Sequence, residues 1–384
     1  MKTKRKILLA AGLLFAGSVS LSAANHAVAP GQNVQAVVDG AASGDLIRFL
    51  PGVYGDLTIV NKDLTLKALG NTPAQLGALD INGSVVNLIK IGADTLRAND
   101  LPNDACKIIA TQASFGNIET NATEFHIAYS TVEHLVFRGV GTVTGCEFNG
   151  EANLGGIGLD VHGAGTKIVL RNSLIKNYVR NAGNSLANEC IGVQVRDGAK
   201  ADVINNVIHD CKEGNGNGTN TAVGMGIYVE TGSQAVMLGN VIWACWSKGT
   251  TNIGNRLIWA PATTSIVRYN LLWQSNSYTG EHSDLVGGGV SAVGTVNDNP
   301  KFVAGAPYSY QLKVSSPAIN AGPPDAQYND LDGTRNDIGM YGGHGYLPNG
   351  RTTTKPIVLS LEIEPLVVPA GGIITIQSAG AAPK

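Results

Sequence analysis

Two sets of polar residues recur at a fixed spacing in the middle of the chain. Successive members lie 34 residues apart, the first set being Asp160, Gln194 and Tyr228 and the second being His162, Arg196 and Glu230. Arginine can neutralise a carboxylate, histidine and tyrosine can transfer a proton, and two carboxylates can act as an acid and a base. These residue types predict acid–base chemistry, provided that the fold brings them together.

β-Elimination on a uronic acid is the reaction that these side chains fit first. Arg196 would neutralise the sugar carboxylate, so that the C5 proton becomes acidic. His162 or Tyr228 would take that proton, while the other of the two donates to the leaving oxygen. Epimerisation at C5 would use the same residues. The sequence therefore predicts a polysaccharide lyase or a related epimerase.

Two other interpretations stay open. An inverting glycoside hydrolase would use Asp160 and Glu230, whose Cα atoms we expect about 12 Å apart from the usual strand spacings. The alternative is a non-catalytic glycan-binding or adhesin-like surface protein, because outward positions of any sheet are polar and cross-strand charge pairs are ordinary surface features. In all three cases the expected partner is a polysaccharide.

Four residues are predicted to bind substrate. Gln194 belongs to the first set, and His134 is expected one coil earlier, in register with that set. Asp210 and Glu213 border a glycine-rich insertion, which would form one wall of a groove. Arg180, in contrast, is interpreted as solvated surface.

The elements that must position these residues are short repeats. Segments with alternating apolar residues start 34, 34 and 30 residues apart, at Gly158, Gly192, Gly226 and Arg256. Asparagines follow at the same spacing, at Asn172, Asn206, Asn240 and Asn270. A period of two indicates strands, and such a unit buries its apolar face only by stacking on its neighbours. We predict a β-solenoid in which the four asparagines form an amide ladder.

The ends of the repeat region resemble a known family. Gln35–Asp45 and Ile47–Tyr54 resemble the opening of secreted right-handed parallel β-helix proteins of the pectin-lyase-like superfamily. Asn299–Phe302 and Ser316–Gly322 resemble parts of the choice-of-anchor Q domain. The resemblance implies an all-β, right-handed parallel β-helix with an N-terminal capping helix and a short C-terminal β appendage. Because many chemistries share this scaffold, it specifies the fold more than the reaction.

The chain divides into three parts. Residues 1–24 have a basic start, an apolar centre and small residues at the end, as in a signal peptide. The β-helix is expected at 25–345, with the capping helix at about 32–42 and the C-terminal module at about 298–345. Residues 346–384 are expected to form a β-hairpin tail or a truncated Ig-like segment. We expect a monomer that is secreted, whether periplasmic, extracellular or at the cell surface, and that has no transmembrane segment.

The charge balance excludes some partners. The 384 residues include 27 Lys and Arg against 29 Asp and Glu, which gives a net charge of −2. Such a chain has no polycationic region to bind nucleic acid or anionic lipid. No spacing of Cys and His matches a zinc site, so no metal ligand is predicted among the site residues.

Two features could add a cross-link or an ion. Cys211 and Cys245 occupy the same position in successive repeats, so they could form a disulfide or stack as buried thiols. An oxygen-rich cluster near the C-terminus could hold calcium or could simply close a turn. Its members are Asp330, Asp332, Asn336 and Asp337.

Overall fold

The computed structural model describes most of the chain. The described residues are 23–151, 154–180, 189–213, 224–247, 256–274, 285–303, 310–346, 348, 350–364 and 375–381. The signal-peptide prediction lies outside the described residues, apart from its last two positions.

The elements of the first half are one helix and a series of strands. They are β1 (Asn25–Val28), α1 (Val34–Gly40), β2 (Leu46–Phe49), β3 (Leu57–Val60), β4 (Leu64–Ala68), β5 (Ala74–Asn82), β6 (Val85–Ile89), β7 (Ile91–Asn99), β8 (Lys107–Thr111), β9 (Ser114–Ala128), β10 (Thr131–Thr144) and β11 (Glu147–Asn149).

The second half continues with shorter strands. They are β12 (Gly156–His162), β13 (Lys167–Arg171), β14 (Leu174–Lys176), β15 (Val179–Arg180), β16 (Cys190–Arg196), β17 (Lys200–Ile204), β18 (Val207–His209), β19 (Lys212–Glu213), β20 (Gly224–Val229), β21 (Gln234–Leu238), β22 (Val241–Trp243), β23 (Trp246–Ser247), β24 (Ile258–Trp259), β25 (Ile266–Arg268), β26 (Leu271–Trp273), β27 (Val286–Gly287) and β28 (Ala292–Val293). A 3-10 turn (Ala326–Tyr328), β29 (Ile357–Glu364) and β30 (Thr375–Ala381) follow.

From β11 onward the coils stack mainly through three parallel sheets, and a shorter parallel sheet joins β15, β19 and β23. Sheet 1 contains β12, β16, β20, β24 and β27, paired in that order. Sheet 2 contains β13, β17, β21, β25 and β28. Sheet 3 contains β11, β14, β18, β22 and β26. The long strand β10 joins all three, since it pairs with β11, β12 and β13.

Apolar and polar side chains alternate along each strand, and the apolar ones fill the interior. The inward side chains of sheet 1 are completely buried, namely Leu159, Val161, Val193, Val195, Ile227 and Val229. At the N-terminal end, α1 buries Val34 and Val38, and Asn33 caps it by accepting a hydrogen bond from the Ala36 amide at 3.1 Å. The predicted fold class, an all-β parallel β-helix with an N-terminal capping helix, is confirmed.

Asparagines form a ladder at the corner between sheets 2 and 3, one member shorter than predicted. The Asn206 side-chain amide donates to Asn240 Oδ1 at 3.0 Å, and that of Asn240 donates to Asn270 Oδ1 at 2.9 Å. The inclusion of Asn172 is wrong, because β13 and β17 pair with an offset of 33 residues and Ser173 takes the ladder position. The Ser173 amide accordingly donates to Asn206 Oδ1 at 3.0 Å.

A C-terminal strap, defined here as residues 310–346, runs back along this corner. Asn205 and Asn172 sit in the left-handed region, with φ of 53° and 51°. Their side-chain amides donate to the Asp337 and Gly342 carbonyls, each at 2.8 Å. Beneath the strap, Ile338 and other apolar residues pack on the outer face of sheet 3. The solenoid therefore carries its C-terminal segment alongside several coils.

Beyond the strap, the chain reaches earlier coils. The Gln112 side-chain amide donates to the Gly350 and Thr353 carbonyls, both at 2.9 Å. Strands β29 and β30 pair antiparallel and lie beside β8, β9 and β10.

Candidate functional site

The outward face of sheet 1 brings the two predicted polar sets together. Asp160 is paired in register with Gln194, and Gln194 with Tyr228. His162 is paired with Arg196 in the same way. The predicted register of these residues is confirmed, because inward apolar positions fix which side chains of each strand must point outward.

Arg196 and Asp160 form the most specific contact of the site. Arg196 Nε donates to Asp160 Oδ1 at 2.9 Å, and Nη2 donates to Oδ2 at 2.8 Å. Arg196 Nη1 donates to Asp197 Oδ2 at 2.9 Å. The hydrogen bond with Asp160 raises the pKa of Arg196, so the guanidinium stays charged and serves as a cation rather than as a base. Two carboxylates balance its single charge.

His162 lies at the edge of this ion pair. Its side chain is buried, and burial lowers the pKa of the imidazole, so the ring is neutral near pH 7. Nδ1 is 3.6 Å from Asp197 Oδ2, and Nε2 is buried without a hydrogen-bond partner among the described residues. A neutral imidazole of this kind can accept a proton.

Tyr228 and Glu230 lie one coil further along. Burial, with the nearby charges of Glu230 and Glu189, raises the pKa of Tyr228, so its hydroxyl is protonated and can donate. Glu230 Oε2 accepts a hydrogen bond from the Asp197 amide at 3.1 Å, which ties this carboxylate to the turn after β16. Of the two side chains, the Tyr228 hydroxyl is therefore better able than the Glu230 carboxylate to contact a substrate.

Glu189, which was not predicted, joins the site. It directly precedes β16, and its carboxyl pKa is raised, first by burial and then by the negative charge of Asp160. Arg196 opposes that shift only in part. The sequence signal was weak, because Glu189 belongs to a long insertion between repeats and has no counterpart at the 34-residue spacing.

His134 differs from its predicted position. Val136, rather than His134, is paired with Asp160, so the predicted register of His134 is wrong by two residues. Its Nδ1 lies 2.8 Å from the Ile157 carbonyl oxygen, and its ring packs edge-on against Tyr178. His134 therefore braces β12 from the preceding coil, and its substrate-binding role remains a prediction.

Glu213 and Arg180 form a buried ion pair away from solvent. Their side chains are 0% and 1% exposed, and Arg180 Nη2 lies 3.8 Å from Glu213 Oε1. They face each other through the pairing of β15 with β19. The interpretation of Arg180 as solvated surface is wrong, because the Glu213 carboxylate compensates its charge inside the protein. This burial gives no support to substrate binding by Glu213.

Asp210 belongs to a different cluster, at the end of β18. His209 Nδ1 lies 2.7 Å from Asp210 Oδ2, and Lys212 Nζ contacts the other carboxylate oxygen. Burial alone would raise the pKa of Asp210, but these two contacts lower it to about 2. The structure records no contact between this cluster and the described residues around Asp160.

The cysteines are free thiols, and the acidic cluster near the C-terminus accepts hydrogen bonds from backbone amides. Cys211 and Cys245 are buried free thiols in contact with each other. Asp330 and Asp337 accept backbone amide hydrogen bonds, Asp330 from Gly343 and Asp337 from Asn320. Among the described residues no group of three or more His, Cys, Asp or Glu side chains is arranged to hold a metal ion. The backbone hydrogen bonds of Asp330 and Asp337 are those of a turn, and calcium binding by the cluster stays a prediction.

Comparisons with known proteins add a likeness of fold. No family model and no curated protein sequence matches the chain, so the resemblance of residues 298–345 to the choice-of-anchor Q domain stays a prediction. Among solved structures, pectate lyase Pel9A is similar at 14% identity and a TM-score of 0.46, over 84% of this chain and 97% of that one. The activity in that name belongs to that protein. In the described part of the chain, no helix is sufficiently long and apolar to cross a membrane.

Proposed function

We propose that this protein is an exported enzyme that hydrolyses glycosidic bonds in an extracellular, largely neutral polysaccharide. The observation that carries the proposal is the pair of unlike carboxyl groups at Asp160 and Glu189. Arg196 holds both carboxylate oxygens of Asp160 with two hydrogen bonds, whereas burial and the Asp160 charge raise the pKa of Glu189. Glycosidases use two carboxyl groups in unlike surroundings, one as the acid and the other as the base or nucleophile.

The two carboxyl groups divide the reaction between them. Glu189 donates its proton to the glycosidic oxygen as the bond to the anomeric carbon breaks. Asp160 accepts a proton from the attacking water or stabilises the positive charge that develops on the sugar ring. Glu230 fits the acid role less well than Glu189, because its carboxylate is committed to the Asp197 amide.

Charge argues for a neutral rather than a uronic acid polymer. Arg196 is the residue that would have to neutralise a substrate carboxylate, yet Asp160 and Asp197 already occupy three of its donors. Glu230 adds further negative charge around it. A polyanionic substrate would be repelled by this set.

β-Elimination is the second candidate, because one observation favours it. The buried Nε2 of His162 is a neutral nitrogen without a hydrogen-bond partner among the described residues, as a proton-abstracting base requires. In that reaction Tyr228 would donate to the leaving oxygen.

Product chemistry distinguishes the candidates. We would incubate the protein with neutral plant and algal glycans, pectate, alginate and glycosaminoglycans, and measure reducing ends together with ultraviolet absorbance of unsaturated uronates. Hydrolysis gives reducing ends without absorbance, and Glu189→Gln and Asp160→Asn abolish it. The matched control is Asp202→Asn, since Asp202 is a part-buried carboxyl with a raised pKa on sheet 2. Rising absorbance lost in His162→Ala would favour elimination, and no product from any glycan would favour the binding protein.

Export is part of the proposal and has its own test. The basic and apolar start of residues 1–24 supports it. We expect protein recovered from the culture fluid or cell envelope to begin near residue 25. An intact Met1 on a cytoplasmic protein would contradict export.

A further inference from the structure

A cavity of about 270 Å³ lies between the outer face of sheet 2 and the C-terminal strap. Outward residues of β13 and β17 form one wall, and the 3-10 turn with residues 342–345 of the strap forms the other. None of the lining residues is an aspartate or a glutamate. The volume lies below the usual range for pockets that hold drug-sized molecules, so the cavity suits a small chemical group.

Arg171, the last residue of β13, brings a positive charge to this lining. Its Nε donates to the Thr144 hydroxyl at 3.2 Å, whereas Nη1 and Nη2 have no hydrogen-bond partner and form no ion pair among the described residues. Neither of these two nitrogens belongs to the buried polar atoms that lack a partner, so both reach open space. The unpaired edge of the guanidinium is therefore accessible to a ligand.

The strap runs directly along the Arg171 side chain. A Cβ atom built at Gly345 would approach Arg171 Cδ to 3.3 Å and Nε to 3.6 Å. Burial of this kind lowers the pKa of Arg171, and Tyr129 is the only nearby group whose charge opposes that shift. The guanidinium nevertheless stays charged near pH 7, because its ordinary pKa is above 12. It is thus a half-buried cation that no carboxylate compensates.

Other arginines that this protein removes from solvent are compensated. Arg180 lies 3.8 Å from the Glu213 carboxylate, and Arg196 lies 2.8 Å from that of Asp160. Desolvation of a charge is costly, so a folded protein normally pairs it with an opposite charge. Arg171 departs from this pattern, and an anion from solution would supply the missing charge.

The strap offers further hydrogen-bond donors and keeps its acidic group turned away. The Tyr328 hydroxyl and the exposed His344 imidazole line the cavity, and neither has a hydrogen-bond partner among the described residues. The Asp330 carboxyl contacts the lining only through the Gly343 amide. It also accepts the Asp337 amide, so its oxygens are directed at the backbone of the strap itself. The polar groups that face the cavity therefore favour an anion.

We propose that this cavity is a binding site for one small oxyanion, a carboxylate or sulfate group that Arg171 holds through Nη1 and Nη2. The planar guanidinium fork matches two oxygens of such a group, and Tyr328 and His344 add hydrogen bonds from the strap. A free anion and an acidic group on a sugar share this chemistry. The bound group would link sheet 2 to the strap. The site is separate from the Asp160 site and does not depend on hydrolysis there.

Calorimetric titration of the full chain tests this proposal. The probes are sodium sulfate, sodium acetate and sodium methyl glucuronide, in chloride buffer of constant ionic strength, with methyl glucoside as the neutral comparison. We expect one equivalent of an oxyanion to bind and methyl glucoside not to bind. Tighter binding of methyl glucuronide than of acetate would identify an acidic group on a sugar as the ligand, and equal or weaker binding would identify a free anion. Either result supports the oxyanion site.

Arg171→Met should weaken oxyanion binding about tenfold or more, because the charged hydrogen bonds are lost. Arg171→Lys keeps the charge without the fork and should weaken binding several-fold, which tests the site even if Arg171→Met does not fold. The thermal midpoint in chloride buffer checks the folding of each variant.

Arg268→Met is the matched control, because Arg268 occupies the same row of sheet 2 three coils further along and is exposed outside the cavity. It should leave oxyanion binding unchanged. No binding of any oxyanion, equal binding of methyl glucoside, full binding by folded Arg171 variants, or an equal loss in Arg268→Met would overturn the proposal. These outcomes are independent of whether the protein hydrolyses a polymer.

Discussion

Asp160 and Arg196, which lie on neighbouring coils and 36 residues apart in the chain, are joined by two parallel hydrogen bonds. The contact is diagonal, because Asp160 is paired with Gln194 and Arg196 with His162. The guanidinium reaches back by two residues along the neighbouring strand to hold both carboxylate oxygens. A planar fork is needed for this geometry, and lysine cannot provide it.

We expect Arg196→Lys to lower activity about 10- to 100-fold, although the charge is kept, because a single ammonium cannot hold both Asp160 oxygens in place. The measurement is the rate on the glycan of the proposed panel that the unmodified protein hydrolyses. Arg138→Lys, on β10, is the control for a cation outside this contact. An Arg196→Lys variant with full activity would show that charge alone suffices.

The raised pKa of Glu189 predicts the alkaline side of the pH–rate profile. The group works protonated, so activity falls as the pH rises through its pKa, which lies above the ordinary value of about 4.3. Glu189→Gln should reduce kcat about 100- to 10,000-fold and remove this limb. Asp202→Asn should keep both the rate and the limb. An alkaline limb that persists in residual Glu189→Gln activity would assign it to another group.

The asparagine ladder should contribute strongly to stability. Asn240→Ala removes a buried amide that joins Asn206, Asn270 and the Val203 carbonyl. We expect a loss of about 2–4 kcal/mol in the free energy of unfolding, measured in urea, because neighbouring buried groups lose their partners. Asn149→Ala, at an exposed asparagine, should cost less than about 0.5 kcal/mol. Equal effects of the two substitutions would contradict the ladder's role.

Low pH should weaken the hydrogen bonds that join Asp210, His209 and Tyr310 of the strap, because it protonates Asp210. Its folded pKa of about 2 lies below the unfolded value, so its contribution is complete above about pH 4 and is lost as the pH falls through about 2. We expect Asp210→Asn to cost about 2 kcal/mol at pH 7 and very little at pH 2. Urea unfolding at several pH values measures this, with the exposed Asp298→Asn as control. If Asp210→Asn lowers the free energy of unfolding equally at every pH, stability is not linked to the protonation of Asp210.

Much of the site followed from a single period in the sequence. The 34-residue spacing places Asp160, Gln194 and Tyr228 in one row, since parallel coils of equal length repeat the same position on each turn. Where coil length changes, the prediction fails. The offset of 33 between β13 and β17 moved Asn172 out of the ladder, and the shorter coils before β12 moved His134 out of register with Asp160.

By itself, the sequence determined the coils, their buried faces and which polar side chains point outward, because these depend on local alternation and on stacking between neighbouring repeats. Only the tertiary structure decided which side chains meet between coils and which segments pack against coils that are distant in sequence. It brought the Glu189 carboxyl under the influence of the Asp160 charge, buried Arg180 with Glu213, and laid Tyr310 over His209, 101 residues away. Burial and charge at such contacts depend on three-dimensional neighbours, and no repeat period records them.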